Sequence, residues 1–197
     1  YDVAVIDEAG QSLEPACWIR ILKASKLVLA GDHLQLPPTI KSQEAAKGGL
    51  ASTLLEKRVA QFPEAVTLLQ EQYRMHQSIM HYSSRYFYQG KLVANAAVAN
   101  RKLTPDDQPL MFIDTAGCGY EEKPDGTSLT NPEEAHFLFN HLTSVLSQFN
   151  GTPIPSVAVI APYKQQINLL KELLPQYADL APFVSHITIN TVDGFQG

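Results

Sequence analysis

Apolar residues in this chain fall into short unbroken runs that alternate with stretches of helical spacing. Val3-Ala4-Val5-Ile6 runs into Asp7 and Glu8, and residues 26–30 run into Gly31 and Asp32. Such runs, bounded by charge, predict strands buried on both faces, as in a parallel sheet covered by helices. Further strands are predicted over 66–69, 110–114, 156–161 and 186–192. Between them, helical spacing predicts helices over 15–22, 50–62 and 77–88, and another after Tyr163 in which Ile167, Leu170 and Leu174 face inward. Pro63 ends the second of these and Gly90 the third. The surest helix opens on Asn131-Pro132-Glu133-Glu134, with Asn131 as N-cap and Glu134 in the capping-box position. Ala135, Leu138, Phe139, Leu142, Val145, Leu146 and Phe149 trace its core face, which ends before Asn150-Gly151. Residues 91–107 read as a polar surface excursion, and 117–128 as a Gly-rich, charged, mobile loop. Strands alternating with helices predict an α/β fold with a parallel sheet.

Composition narrows this picture. A chain of 197 residues holds one sizeable core or parts of two domains, and 45% hydrophobic content suits a soluble globular protein. No apolar run is long enough to span a bilayer and no basic-then-apolar leader opens the chain, so no membrane partner is expected and an intracellular location is. Cys17 and Cys118 lack metal-ligand spacing and read as reduced, structural thiols. Six scattered histidines, even with His76 and His81 on one helix face, show no zinc pattern. A net charge of −5 does not advertise a nucleic-acid binder, yet a single strand needs only a local groove of donors and stacking groups.

Functional groups in parallel sheets collect at the carboxyl ends of strands. Asp7 there suits Mg²⁺ held through waters, and Glu8 suits proton removal from an attacking water. A charged turn after a core strand explains that pair, taken alone, equally well. After the second strand, Gly31-Asp32-His33-Leu34-Gln35-Leu36-Pro37-Pro38 is a polar loop on the same edge, with Gln35 a candidate to sense a γ-phosphate or orient water. A Pro-rich surface loop accounts for Pro37 and Pro38 but not for Asp32 and Gln35. In Gln72-Tyr73-Arg74-Met75-His76 the ring suits base stacking and the guanidinium suits phosphate pairing, although a surface arginine beside a core tyrosine is the commoner fate of such a pair.

In order, Asp7-Glu8-Ala9-Gly10, Gly31-Asp32-His33-Leu34-Gln35, Gln72-Tyr73-Arg74-Met75-His76, Ala161-Pro162-Tyr163 with Gln166, and Thr191-Val192-Asp193-Gly194-Phe195-Gln196-Gly197 resemble the motifs of superfamily 1 helicases. Within that superfamily the chain is similar to the branch of the nonsense-mediated-decay helicase. Ser12-Leu13-Glu14-Pro15-Ala16-Cys17-Trp18, Gln77-Ser78-Ile79-Met80 and Asp114-Thr115-Ala116-Gly117-Cys118-Gly119 are most similar to the immunoglobulin-mu-binding protein 2 group, which includes the DNA polymerase α-associated helicase. The resemblance implies RecA-like domains of the P-loop NTPase class, one partial over 1–66 and one largely present over 67–197. It implies ATP and Mg²⁺ as cofactors, with the nucleotide between the domains. It also implies a single strand of DNA or RNA as partner, 5′-to-3′ translocation, replication or RNA-processing and translation machinery as further partners, and a cytoplasmic or nuclear location. Carried over, Asp7 is the Mg²⁺ carboxylate, Glu8 the general base, Gln35 the γ-phosphate sensor and Arg74 the arginine finger. Tyr73 stacks on the adenine, Pro162, Tyr163 and Thr191 lie along the nucleic-acid track, and Gln196 and Gly197 couple that track to ATP.

One departure is large. No GxxxxGK[ST] loop occurs, since Gly90-Lys91 is followed by Leu92 and Gly48-Gly49 by no lysine. The chain therefore reads as an excerpt, with activity expected of the full-length protein and not of the excerpt. Two alternatives stay open: a non-catalytic nucleic-acid-binding module, and a metal-dependent phosphoesterase using Asp7, Glu8 and Asp32.

Overall fold

A computed structural model of the chain describes residues 1–149 and 153–195. Two compact units divide it, Tyr1–Lys102 and Leu103–Gly197. Parallel strand pairs interleaved with helices build both, an α/β architecture consistent with the RecA-like one.

In the first unit β1 (Val3–Ile6) pairs parallel with β2 (Lys26–Leu29) in the register Val3↔Lys26 to Ile6↔Leu29. The right-handed crossover expected of such a unit runs through α1 (Glu14–Ile21). Ile6, Ala9, Cys17, Leu54 and Leu55 form the core there, with Leu27, Leu29, Ile21 and Val59 packed against it. Burial on both faces was the sequence expectation, and the structure corrects it. Val3, Val5 and Val28 are exposed while Ile6 is buried, because strand side chains alternate and helices cover one face of this pair.

After a single turn, α2 (Gln43–Ala45), comes α3 (Leu54–Gln61). It starts four residues later than its apolar spacing predicts, because Thr53 Oγ1 accepts the Glu56 N–H at 3.2 Å and caps the helix there. The strand predicted over 66–69 is displaced to β3 (Glu71–Gln72), which pairs parallel with β4 (Val93–Ala94). The ladder forms where a partner lies opposite: Val93 N–H donates to Gln70 O at 2.8 Å and Asn95 N–H to Gln72 O at 2.9 Å. Leu69 is left exposed. Between these strands runs α4 (Gln77–Phe87), capped by His76, whose Nδ1 accepts the Ser78 N–H at 3.0 Å. The short α5 (Ala96–Ala99) follows, so 91–107 is more structured than a surface excursion.

In the second unit the run over 110–114 forms no strand, and Leu110, Met111, Phe112 and Ile113 are exposed. An apolar run becomes a strand only where a ladder partner exists. The supposed loop over 117–128 instead holds an antiparallel hairpin of β5 (Lys123–Asp125) and β6 (Ser128–Thr130). Its turn depends on Gly126 at φ 61°, the positive φ that a two-residue hairpin loop requires. The long helix α6 (Pro132–Leu146) is capped as expected, Asn131 Oδ1 accepting the Glu134 N–H at 3.0 Å. Its Ala135, Phe139 and Leu146 pack with Val159, Ile167, Leu170, Leu180 and Ile189 in one core. Asn150 and Gly151, where that helix was expected to have ended, lie outside the described residues. β7 (Val157–Ala161) and β8 (Ile187–Thr191) pair parallel over five residues, joined through α7 (Lys164–Leu173), and α8 (Val192–Phe195) follows β8.

Candidate functional site

At the carboxyl ends of β1 and β2 two loops meet backbone to backbone. Ala30 N–H donates to Ile6 O, and Ala9 N–H returns the bond to Ala30 O, each at 2.9 Å. A Cβ on Gly10 would stand 2.3 Å from Asp32 O, and one on Gly31, at φ 147°, 2.7 Å from Ala9 N. Only two glycines allow this approach, which brings the Asp7-Glu8 loop against the Asp32-Gln35 loop.

Asp7 and Glu8 are both exposed there. Asp7 Oδ1 accepts the Glu8 N–H at 3.0 Å, and Oδ2 has no hydrogen bond among the described residues. Glu8 holds φ at 50°, a left-handed conformation uncommon for a residue other than glycine. Its carbonyl accepts the Gln11 N–H at 2.9 Å and the Ser12 hydroxyl at 3.3 Å, which hold the turn. Among the described residues no three His, Cys, Asp or Glu side chains gather as a metal cage. A phosphate-associated Mg²⁺ needs only one or two protein carboxylates, with water and phosphate filling its other positions, so the free oxygen of Asp7 fits that use.

Asp32 is the hub of the second loop. Its Oδ1 accepts the Leu34 N–H and its Oδ2 the Gln35 side-chain amide, each at 3.0 Å. Tyr88, just past α4, donates its hydroxyl to the same Oδ2. Burial works against the Asp32 charge, but the hydrogen bonds from Tyr88, Leu34 and Gln35 outweigh it and hold the carboxyl below its usual range. The Tyr88 hydroxyl is pushed up to about 12 by burial, by its bond to Asp32 and by that residue's charge. Among the described residues Asp7, Glu8 and Asp32 do not gather as the three-carboxylate ligand set that a phosphoesterase reading requires.

Gln35 also lines an open cleft of about 720 Å³ with Leu69, Gln72, Tyr73, Arg74 and Met75. The loop bearing Tyr73 and Arg74 is folded by Gln72, whose Oε1 accepts the N–H groups of Arg74 at 2.8 Å and Met75 at 2.9 Å while Nε2 donates to Met75 O at 2.8 Å. In the sequence Gln72 stands only as the first residue of its motif, with no role assigned to it. The exposed guanidinium of Arg74 makes no hydrogen bond or ion pair among the described residues. Tyr73 is 63% exposed, and its hydroxyl donates to Glu71 at 3.0 Å, a bond and a neighbouring charge that raise its pKa. Three of the sequence-predicted residues, Gln35, Tyr73 and Arg74, thus share one cleft, whereas Asp7 and Glu8 are not in its lining.

In the second unit Ala161 and Thr191 are register partners, so Pro162, Tyr163 and Thr191 meet at one carboxyl edge. Pro162 and Tyr163 are exposed there. Gln166 is turned inward instead: its Oε1 accepts the Asn131 N–H at 2.8 Å and its Nε2 donates to Asn131 O at 3.1 Å. It therefore takes the N–H that Glu134 would have filled in a capping box, and Glu134 accepts from Thr115 at 2.8 Å. Gln196 and Gly197 lie outside the described residues.

An AAA domain family matches residues 50–197, and a second AAA domain family matches 1–43. The chain belongs to the AAA domain family. This AAA chain is 42% identical over 209 residues to DNA-binding protein SMUBP-2 of Mesocricetus auratus, covering all of this chain and 20% of that protein. It is 38% identical over 223 residues to DNA polymerase alpha-associated DNA helicase A of Saccharomyces cerevisiae, all of this chain and 32% of the relative. Against DNA replication ATP-dependent helicase/nuclease DNA2 of Mus musculus the identity is 32% over 226 residues, all of this chain and 20% of the relative. The AAA chain is thus homologous to superfamily 1-like helicases, and it spans about a fifth to a third of the length of these relatives. No helix among the described residues is long and apolar enough to cross a membrane.

Proposed function

We propose that this chain is the motor-core portion of an ATP-dependent 5′-to-3′ DNA or RNA helicase of the immunoglobulin-mu-binding protein 2 branch. The observation that carries the proposal is the cleft in which Gln35, Tyr73 and Arg74 converge, with the Gln35 amide held by Asp32. ATP sits against these residues. Tyr73 stacks on the base and Arg74, whose guanidinium has no partner among the described residues, meets the phosphate charge that grows during transfer. Gln35 contacts the γ-phosphate, Glu8 takes the proton of the attacking water, and Asp7 holds Mg²⁺, which supplies charge neutralisation when bound. Pro162, Tyr163 and Thr191 line the track of a single strand, and Gln196 and Gly197 couple it to the nucleotide. In this reading residues 1–66 belong to one RecA-like region and 67–197 to the next, a division by motif origin; the compact units describe which residues pack together in this chain. The full-length protein works inside the cell, in cytoplasm or nucleus, with replication or RNA-processing and translation machinery.

The test is ATP hydrolysis by the full-length protein with and without single-stranded DNA or RNA. Strand-stimulated turnover is expected. Glu8→Gln should abolish it while sparing ATP binding, and unchanged turnover would remove Glu8 as the base. Strand binding without any ATP turnover would leave the chain a binding module instead.

A further inference from the structure

The functional reading leaves one built contact unused. Tyr88 reaches back 56 residues to Asp32 Oδ2, the same oxygen that receives the Gln35 amide. Asp32 fixes which way that amide faces, because only the NH₂ end of Gln35 can approach a carboxylate. The amide oxygen then points away from Asp32, and no donor among the described residues occupies it. Gln35, in the lining of the cleft, thereby keeps both its amide oxygen and the second hydrogen of its NH₂ unpaired among the described residues.

Tyr88 has a second lever. It is the C-cap residue of α4, and the N-cap of the same helix, His76, lies two residues beyond Arg74. A helix is stiff over eleven residues, so a bond at its far end also registers the loop at its near end. The hydroxyl of Tyr88 therefore ties Arg74 and Gln35 into one frame.

We propose that Tyr88 is a positioning residue for nucleotide hydrolysis: through Asp32 it orients Gln35, and through α4 it sets Arg74 against the same loop. This rests on the motor reading above. The raised Tyr88 and lowered Asp32 pKa values fit it, since the donor stays protonated and the acceptor charged across the physiological range. Tyr88 touches neither nucleotide nor water in this scheme, so its loss should slow the reaction without weakening ATP binding.

The experiment compares full-length wild type, Tyr88→Phe, Gln35→Ala and the double variant in strand-stimulated ATP hydrolysis. Phe keeps the ring and its packing while deleting the hydroxyl. Expected is a fall in kcat of about tenfold or more with KM for ATP within about twofold, the pattern of a misplaced catalytic group. In the Gln35→Ala background, Tyr88→Phe should add clearly less than its full effect, because both changes disable one unit. An unchanged kcat, an effect confined to KM, or full additivity would each overturn the positioning role. Should wild type itself show no strand-stimulated turnover, the motor reading falls and this proposal with it. An active wild type with an indifferent Tyr88→Phe sinks this proposal alone.

Discussion

Gly31 has to do two things that no other residue does together. It holds φ at 147° and leaves the Ala9 N–H room to reach Ala30 O. An added methyl would sit 2.7 Å from Ala9 N, against rigid backbone. Gly31→Ala is expected to destabilise the first unit by about 2–3 kcal/mol, read as a lower denaturant midpoint, and a midpoint within experimental scatter of wild type would show that the loops can separate cheaply. The glycine after the second strand was legible as a tight exit. The same demand at Gly10 was not, because it arises from Asp32 O, far away in sequence. Asp7, Glu8, Gln35, Tyr73 and Arg74 stood out by type and position. Tyr88 did not, because it acts through a partner 56 residues away that the linear order does not reveal, and Gln72 stood only as a member of its motif, its local turn bonds to Arg74 and Met75 unassigned.

At the scale of elements, local signals were reliable where the cause is local. Asn131 caps α6 through its own side chain, and the apolar stripe behind it packs into the core except at Val145. Where an element depends on a distant partner, hydropathy misled. The 66–69 and 110–114 runs have the composition of strands but no ladder, while the charged Lys123–Asp125 segment has one because Gly126 turns the chain back onto Ser128–Thr130. Gln166 is the sharpest case, since a residue from a helicase-like motif serves α6 by pairing with both backbone groups of buried Asn131. Gln166→Leu should cost about 2 kcal/mol by leaving those groups unpaired. Denaturant unfolding of the second unit checks this, and a neutral result would mean that water replaces the amide.

For the whole molecule, the Tyr88–Asp32 bond predicts a stability profile with two limits. Asp32, its pKa lowered, contributes stability that is present above the ordinary carboxylate value and lost as pH falls through the lowered one. Tyr88, raised from 10.0 to about 12, contributes stability that is present below pH 10 and lost as pH rises toward 12. Thermal melts from pH 8 to about 12 should therefore fall more steeply for wild type than for Tyr88→Phe, with the other tyrosines common to both. Parallel profiles would mean that the bond contributes nothing. By itself the amino-acid order determined the α/β alternation, the cap of α6, the edge on which polar loops gather and the motif series that places the chain among helicase relatives. All of these follow from periodicity, capping and short spacings, which act within a few residues. Tertiary structure alone decided that Gln35, Tyr73 and Arg74 share a cleft, that Tyr88 closes on Asp32, and that Gln166 turns inward. Each of these needs groups tens of residues apart to meet, and that meeting is set by how strands pair and helices pack, which no local pattern encodes.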